Sequence, residues 1–219
     1  MPLAARAPSK KAKAPKATGT RSRLEVDARR AQLVTLGIDL FAARAYDEVS
    51  IDELARAAGV SKGLLYHYFP TKRDFYIATV HEASRQLLAR TDTVATMDPI
   101  ERLRASLDAY LDYVDAHARA YAGLMRGGIG SDAEVAAIID ETRATMAARL
   151  QRELPDVTPT PLVQIAIRGW LGFCEATSLE WIERRAVGRT ELRDLMLEML
   201  LATVPIATRA RSGEGKANE

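Results

Sequence analysis

The sequence predicts an all-α fold of about nine helices, a small N-terminal three-helix unit followed by a larger helical body. Three observations predict it. Apolar residues recur at three-and-four spacing along most of the chain, and nowhere do they alternate as a strand would. Aromatic residues are only 6% of the 219, while Ala and Leu are abundant, a balance that favours helix over strand. Capping residues, prolines and glycines then punctuate the periodic segments at helix-like intervals.

Residues 1–22 are mostly Ala, Pro, Lys, Arg, Ser, Thr and Gly with almost nothing to bury, so a disordered tail is expected. From about 24 to 45 the residues Val26, Leu33, Leu36, Leu40 and Phe41 keep helical spacing. Ser50 and Glu53 form an S-x-x-E capping box just before Leu54 and Ala55, which opens a second helix. Gly59 should end it, because glycine takes a left-handed conformation most cheaply. Ser61 can cap a third, short helix, Lys62 to Phe69, stopped by Pro70, and Thr71 a fourth that runs to about Arg90.

Asp98-Pro99 reads as a cap followed by proline at the first helical position, with a stripe of Ile100, Leu103, Leu107, Tyr110, Leu111 and Val114 behind it. A short helix around Tyr121–Arg126 ends in the loop Gly127-Gly128-Ile129-Gly130, and Ser131 with Glu134 forms a second capping box before Val135, Ile138, Ile139, Thr142, Met146 and Leu150. Prolines 155, 159 and 161 mark a connection. Two more helices, about 161–185 and 190–204, close the body, the latter ended by Pro205. Residues 209–219 are polar and are expected to be a flexible tail.

Charge is unevenly spread. Arg6, Lys10, Lys11, Lys13, Lys16, Arg21 and Arg23 give residues 1–24 seven positive charges and no acid, out of 31 basic and 29 acidic residues in all. The remainder is therefore net acidic, so any contact with nucleic acid must come from a local face. The tail is either a solvated segment or a basic arm adding non-specific phosphate attraction. One cysteine, Cys174, excludes an intrachain disulfide and makes a cytoplasmic setting the expectation. No apolar run reaches the roughly 20 residues of a membrane helix, so no membrane partner is expected.

Two helices joined by a tight glycine turn are the core of a helix-turn-helix. The spacing from Leu54-Ala55 through Ala58-Gly59-Val60 to Leu65 fits. Val60 and Leu65 can plug the shared core, while Lys62, Gly63, Tyr66 and His67 would face outward: a cation, a position without a side chain and two hydrogen-bonding rings suit a major groove. The same spacing also occurs in ordinary bundles. What separates the two readings is the run from Ser50 to Tyr76, SIDELARAAGVSKGLLYHYFPTKRDFY. It resembles the DNA-binding module of the TetR family of bacterial repressors through Ala58-Gly59-Val60-Ser61, Leu65-Tyr66, Tyr68-Phe69 and Lys72, with Phe41 and Tyr46 in the first helix region. The resemblance covers about residues 25–76; beyond them it rests on length and helix count.

The resemblance implies a DNA-binding head over residues 23–72 and a ligand-binding and dimerisation body over 73–208. It implies that Lys62, Tyr66 and His67 meet DNA, that Ser50 contacts phosphate at the start of the second helix, and that Thr71 and Lys72 do so at the start of the fourth through a backbone amide and an ammonium. The candidate DNA-contacting set is Ser50, Ser61, Lys62, Gly63, Leu65, Tyr66, His67, Thr71 and Lys72; Phe69 is expected in the core. Two positions depart from the family pattern: Ala45 replaces the usual glycine after the first helix, with a strain of about 1 kcal/mol if it must be left-handed, and Phe75 replaces a leucine.

For the body, the resemblance implies a homodimer through the last two helices and a small-molecule ligand whose binding releases a near-palindromic double-stranded operator. Gly169, Gly172 and Ala176 near one stripe allow close helix approach, and Leu192, Leu195, Met196, Met199, Leu200 and Thr203 share a face of the last helix. Tyr110, Tyr113, Tyr121, Met125, Met146, Trp170, Phe173, Cys174 and Glu175 are the candidate ligand-binding set; aromatic and Met side chains suit a mainly apolar ligand. Arg168 and Glu175 interrupt the same apolar helix, lining a pocket or bridging the dimer. No zinc spacing, nucleophile elbow or phosphate-binding glycine loop occurs. An enzyme is therefore not expected, nor a cofactor or metal. Activation rather than repression, and an interaction module without DNA binding, stay open.

Overall fold

The computed structural model describes residues 18–92, 98–126 and 132–214, with side chains described between 26 and 209 within those stretches. Among them every regular element is helical: α1 (Thr18–Ala43), α2 (Ile51–Ala57), α3 (Lys62–Tyr68), α4 (Lys72–Arg90), α5 (Pro99–Ala116), α6 (Ala118–Met125), α7 (Ala133–Glu153), α8 (Pro161–Arg184) and α9 (Arg189–Glu214), with one 3-10 turn, Tyr46–Glu48. The expected fold class is the observed one.

The helix starts follow their caps. Ser50 Oγ accepts from the Glu53 amide while Glu53 accepts from the Ser50 amide, and Thr71 with Asp74 repeats the device at α4. Ser61 caps α3 by accepting from the Leu64 amide at 3.1 Å, and Asp98 with Pro99 opens α5. Gly59 is left-handed, φ +61°, and the amides of Gly59 and Val60 return to the carbonyls of Arg56 and Ala55 at 3.1 and 3.0 Å. This pair of bonds closes a helix and reverses the chain within two residues.

Several boundaries differ from expectation. α1 begins at Thr18, so residues 18–22 are helical rather than tail; nothing apolar there signals the extension, which continues a helix nucleated further along. Ala45 is extended, φ −63°, at the entrance of the 3-10 turn, and carries no left-handed strain. The α7 cap is Asp132, whose carboxylate accepts from the Glu134 and Val135 amides at 3.0 and 3.4 Å; Ser131 and the loop 127–130 lie outside the described residues. Pro205 does not stop α9. The proline removes the bond to the Leu201 carbonyl, but Leu201 and Pro205 are both on the exposed side, where a lost backbone bond costs least. Residues 209–214, expected as tail, therefore continue the helix.

The body helices α5 to α9 enclose one core around Leu111, Val114, Val163, Met196 and Leu200. Trp170 Nε1 donates to the Met196 carbonyl at 2.7 Å, locking α8 to α9. A second core, around Leu54, Leu65, Phe69 and Phe75, holds α1, α2, α3 and the first half of α4, but it also contains Val135 and Ile138 of α7. The boundary expected at residue 72 is thus not a break in packing: α4 serves both cores, and the cavity-bearing body reaches into the head.

Candidate nucleic-acid interface and ligand cavity

α3 is held from one side. Leu65 is 0% exposed and Phe69 1%, both within the head core, where Phe69 meets Phe75 edge to face and Arg30 lies over its ring at 5.0 Å. Seven residues make too short a helix to persist alone, so this anchor keeps it formed. Ser61, Lys62, Gly63, Tyr66 and His67 are exposed on the other side, and Tyr66 is 41% exposed. Leu65, included among the candidate DNA contacts, is corrected: it lies one position from Tyr66 but turned inward, and no part of it reaches the surface.

The caps differ in a way that matters for phosphate. At α2 and α4 the capping carboxylates of Glu53 and Asp74 occupy both the amide and the hydroxyl of Ser50 and Thr71, at 2.8–3.0 Å. The Thr71 amide expected to hold phosphate is therefore already engaged. α3 has no acidic residue in its first turn, whereas α2 and α4 do. Lys62 Nζ is 3.0 Å from Asp52, which raises the ammonium pKa; a duplex must compete with that exposed pair. Lys72 Nζ lies over the Tyr46 ring at 4.1 Å, a cation–π contact that fixes its direction.

In the body, α4, α5, α7 and α8, with Tyr121 and Met125 of α6, surround a cavity of about 280 Å³. Eight of the nine candidate ligand residues line it: Tyr110, Tyr113, Tyr121, Met125, Met146, Trp170, Cys174 and Glu175. Phe173 does not; it packs partly buried against the body core. The α8 wall uses 170, 171, 174 and 175, and position 173 lies about 60° outside that arc at about 100° per residue. Arg168 does not line the cavity either, and sits 3.7 Å from Asp140.

The head-facing end of the cavity is polar but self-satisfied. Tyr110 and Tyr121 hydroxyls meet at 2.7 Å, Ser178 donates to Tyr110 at 3.2 Å, and Tyr113 donates to the Ala83 carbonyl at 3.0 Å. Burial pushes Tyr113 up to about 12 and raises Tyr110 and Tyr121 as well, so all three stay neutral. Burial likewise raises the Cys174 thiol, which makes it a poor nucleophile. Glu175 receives a two-pronged bond from Arg143, 2.8 and 2.7 Å. Arg143 was not foreseen: lone arginines on a predicted amphipathic helix read as solvent-facing, and only packing shows this one turned in. Beneath the cavity a smaller void of about 150 Å³ separates body from head; Tyr113, Tyr121 and Ala83 form walls of both.

A strut joins the two regions. Arg73, next to Lys72, donates to Asp132 at 2.5 and 2.7 Å and to Glu134 at 3.1 Å. These carboxylates sit at the start of α7, whose later turns carry Thr142, Arg143 and Met146 into the cavity wall. Arg73 was not singled out from the sequence, since its partners lie some sixty residues away.

Such an architecture defines a class: an all-helical chain pairing a helix-turn-helix head with a cavity-bearing body. Comparisons agree. The family model described as bacterial regulatory proteins of the tetR family matches residues 33–79, and the tetracyclin repressor-like C-terminal domain matches 99–203. The crystal structure of a tetR-family transcriptional regulator from Streptomyces coelicolor is 34% identical, with 86% of each chain covered and a TM-score of 0.78. The transcriptional activator FasR of Mycolicibacterium smegmatis is 32% identical over 118 residues, 53% of this chain and 54% of FasR, so the match spans about half of that relative's length. The transcriptional repressor KstR of the same organism is 23% identical over 183 residues, 80% of this chain and 88% of KstR. The chain belongs to the TetR family of transcriptional regulators. Among the described residues no helix is long and apolar enough to cross a membrane, and no group of His, Cys, Asp or Glu is placed to hold a metal ion.

Proposed function

We propose that this chain is a ligand-responsive transcriptional regulator that binds a near-palindromic DNA operator as a homodimer and, as a repressor, releases it when a mainly apolar small molecule fills the body. The observation that carries the reading is α3: a helix anchored by two fully buried side chains, presenting Lys62, Gly63, Tyr66 and His67 to solvent with no acid in its first turn. Ser61 and Lys72 flank that face at two helix starts and are the phosphate-facing positions of the proposal, since Glu53 and Asp74 already occupy the amides and hydroxyls of Ser50 and Thr71. Binding rather than catalysis is what these sites support.

Two exposed apolar stripes support the dimer. On α8 Leu162, Ile165, Gly169, Gly172 and Ala176 repeat at three and four, and on α9 Leu195, Met199, Ala202 and Ile206 do the same; Ile165 and Ile206 are 67% and 64% exposed. A Cβ built on Gly169 or Gly172 meets nothing within 4 Å. Bare glycines inside an exposed apolar stripe suit a second helix approaching closely. In the reading proposed, a ligand pushing α7 acts on Lys72 through the Arg73–Asp132 strut and changes how the two α3 helices are spaced.

Activation is the second reading, since relatives of both names occur. A footprint on the DNA flanking the chain's own gene tests the binding: protection of two half-sites a helical turn or more apart is expected, and protection of none at low salt refutes it. A transcription assay on that DNA then separates repressor from activator.

A further inference from the structure

The cavity has a direction. Its head-facing end holds the tyrosine hydroxyls and the Arg143–Glu175 pair; between the ends lie Leu87, Leu103, Leu107, Met146 and Leu150; its far end gathers the last turns of α4 and α7 and the first turn of α5. Arg102 is bonded to Glu153 at 2.6 Å, Ser106 to the Thr91 carbonyl at 3.1 Å, and Arg149 lies 3.8 Å from Asp92. From Arg102 to Tyr113 along α5 is eleven positions, about 16 Å at 1.5 Å per residue, so the space is elongated. A cavity of about 280 Å³ is the share of roughly nine waters, and a methylene is close to a water in size.

The two ends have opposite charge balance. At the far end three arginines, Arg102, Arg149 and Arg152, accompany two carboxylates, Asp92 and Glu153. At the head-facing end Arg143 is engaged by two carboxylates, through Nε and Nη2 by Glu175 and through Nη1 by Asp140 at 3.2 Å. A negative group is therefore disfavoured at the head-facing end and favoured at the far, arginine-rich end.

Building on the reading of the body as a ligand chamber, we infer that its ligand is an elongated amphiphile with an acidic head. The chain fills the apolar middle and the carboxylate stays at the arginine-rich end. The arginines there are partly solvated, so the head adds modest selectivity while burial of the tail carries affinity.

The test titrates the full-length protein with sodium decanoate, decanol and decyltrimethylammonium, read by the fluorescence of Trp170 in the cavity wall. Decanoate should bind about 2–30-fold tighter than decanol, the range expected for two exposed ion pairs. Its advantage should shrink in about 1 M salt, where the screening length is about 3 Å. The double variant Arg149→Gln, Arg152→Gln should lose the preference and keep decanol binding. Equal binding of decanoate and decanol, or tightest binding of the cation, overturns the acidic head while leaving the chamber in place. Binding of none of the three overturns the chamber itself and the inference with it.

Discussion

Gly63 separates stability from function in one substitution. It is exposed in the first turn of α3, its φ is not in the left-handed region, and a Cβ built on it meets nothing within 4 Å. Replacing it by alanine therefore adds a methyl to open space and removes backbone freedom from the unfolded chain, a gain of about 0.5–1 kcal/mol. For a chain of this size that raises Tm by roughly 1–4 °C. Yet the methyl stands between Lys62, Tyr66 and His67 on the proposed groove face. Forcing one methyl into a packed contact costs about 1–3 kcal/mol, which weakens operator binding roughly 5–150-fold. Urea unfolding and fluorescence anisotropy on one labelled operator measure the two effects separately. The expected Gly63→Ala protein is more stable and binds more weakly. A variant that is stabilised but binds with unchanged affinity removes this face of α3 from the interface; one that is destabilised refutes the open space around Gly63.

Gly37 gives the opposite sign. Its built Cβ lies 2.6 Å from Thr79 Oγ1 and 2.8 Å from the Phe75 ring, and the buried Thr79 hydroxyl is already bonded to the Phe75 carbonyl. Overpacking of about 1–3 kcal/mol outweighs the helix gain of about 0.5–1 kcal/mol, so Gly37→Ala should lower the urea midpoint. Arg73→Ala should leave probe binding in the cavity intact while ligand-induced operator release falls from the roughly 5–150-fold usual for coupled sites toward none; anisotropy with and without ligand checks it. Acid should loosen both the head itself and its contact with the body. Arg44 holds Glu53 at about 2, down from 4.5, and Arg73 holds Asp132 at about 2, down from 3.8. Because both folded values are lowered, their stabilisation is complete above about pH 5 and is lost as pH falls toward 2. Carboxyl NMR titration should place both midpoints well below ordinary values.

The local architecture was legible in the chain because each signal lies within a few residues of its effect. Ser50 and Glu53, Gly59, Ser61, Thr71 and Asp98 with Pro99 marked helix ends that the structure reproduces, since caps and left-handed turns are decided by neighbours along the backbone. Eight of the nine residues proposed to meet a ligand line the cavity, because aromatic and Met side chains on apolar faces have few destinations other than the interior.

Tertiary structure decided what depends on partners distant in sequence. Leu65 and Tyr66 are adjacent and similarly bulky, yet which one meets solvent is set by how α3 seats on α2 and the shared head core. Arg143, Arg73 and Asp132 look like ordinary charged residues of helix surfaces until α7 and α8 bring Glu175 to one, and α4 and α7 bring the other two together. The head core likewise recruits Val135 and Ile138 across a boundary that the sequence placed at residue 72. Local pattern fixes where helices begin and which faces are apolar; which apolar face meets which, and which charges it traps, is set by packing in three dimensions, where burial energy depends on neighbours that no short window contains.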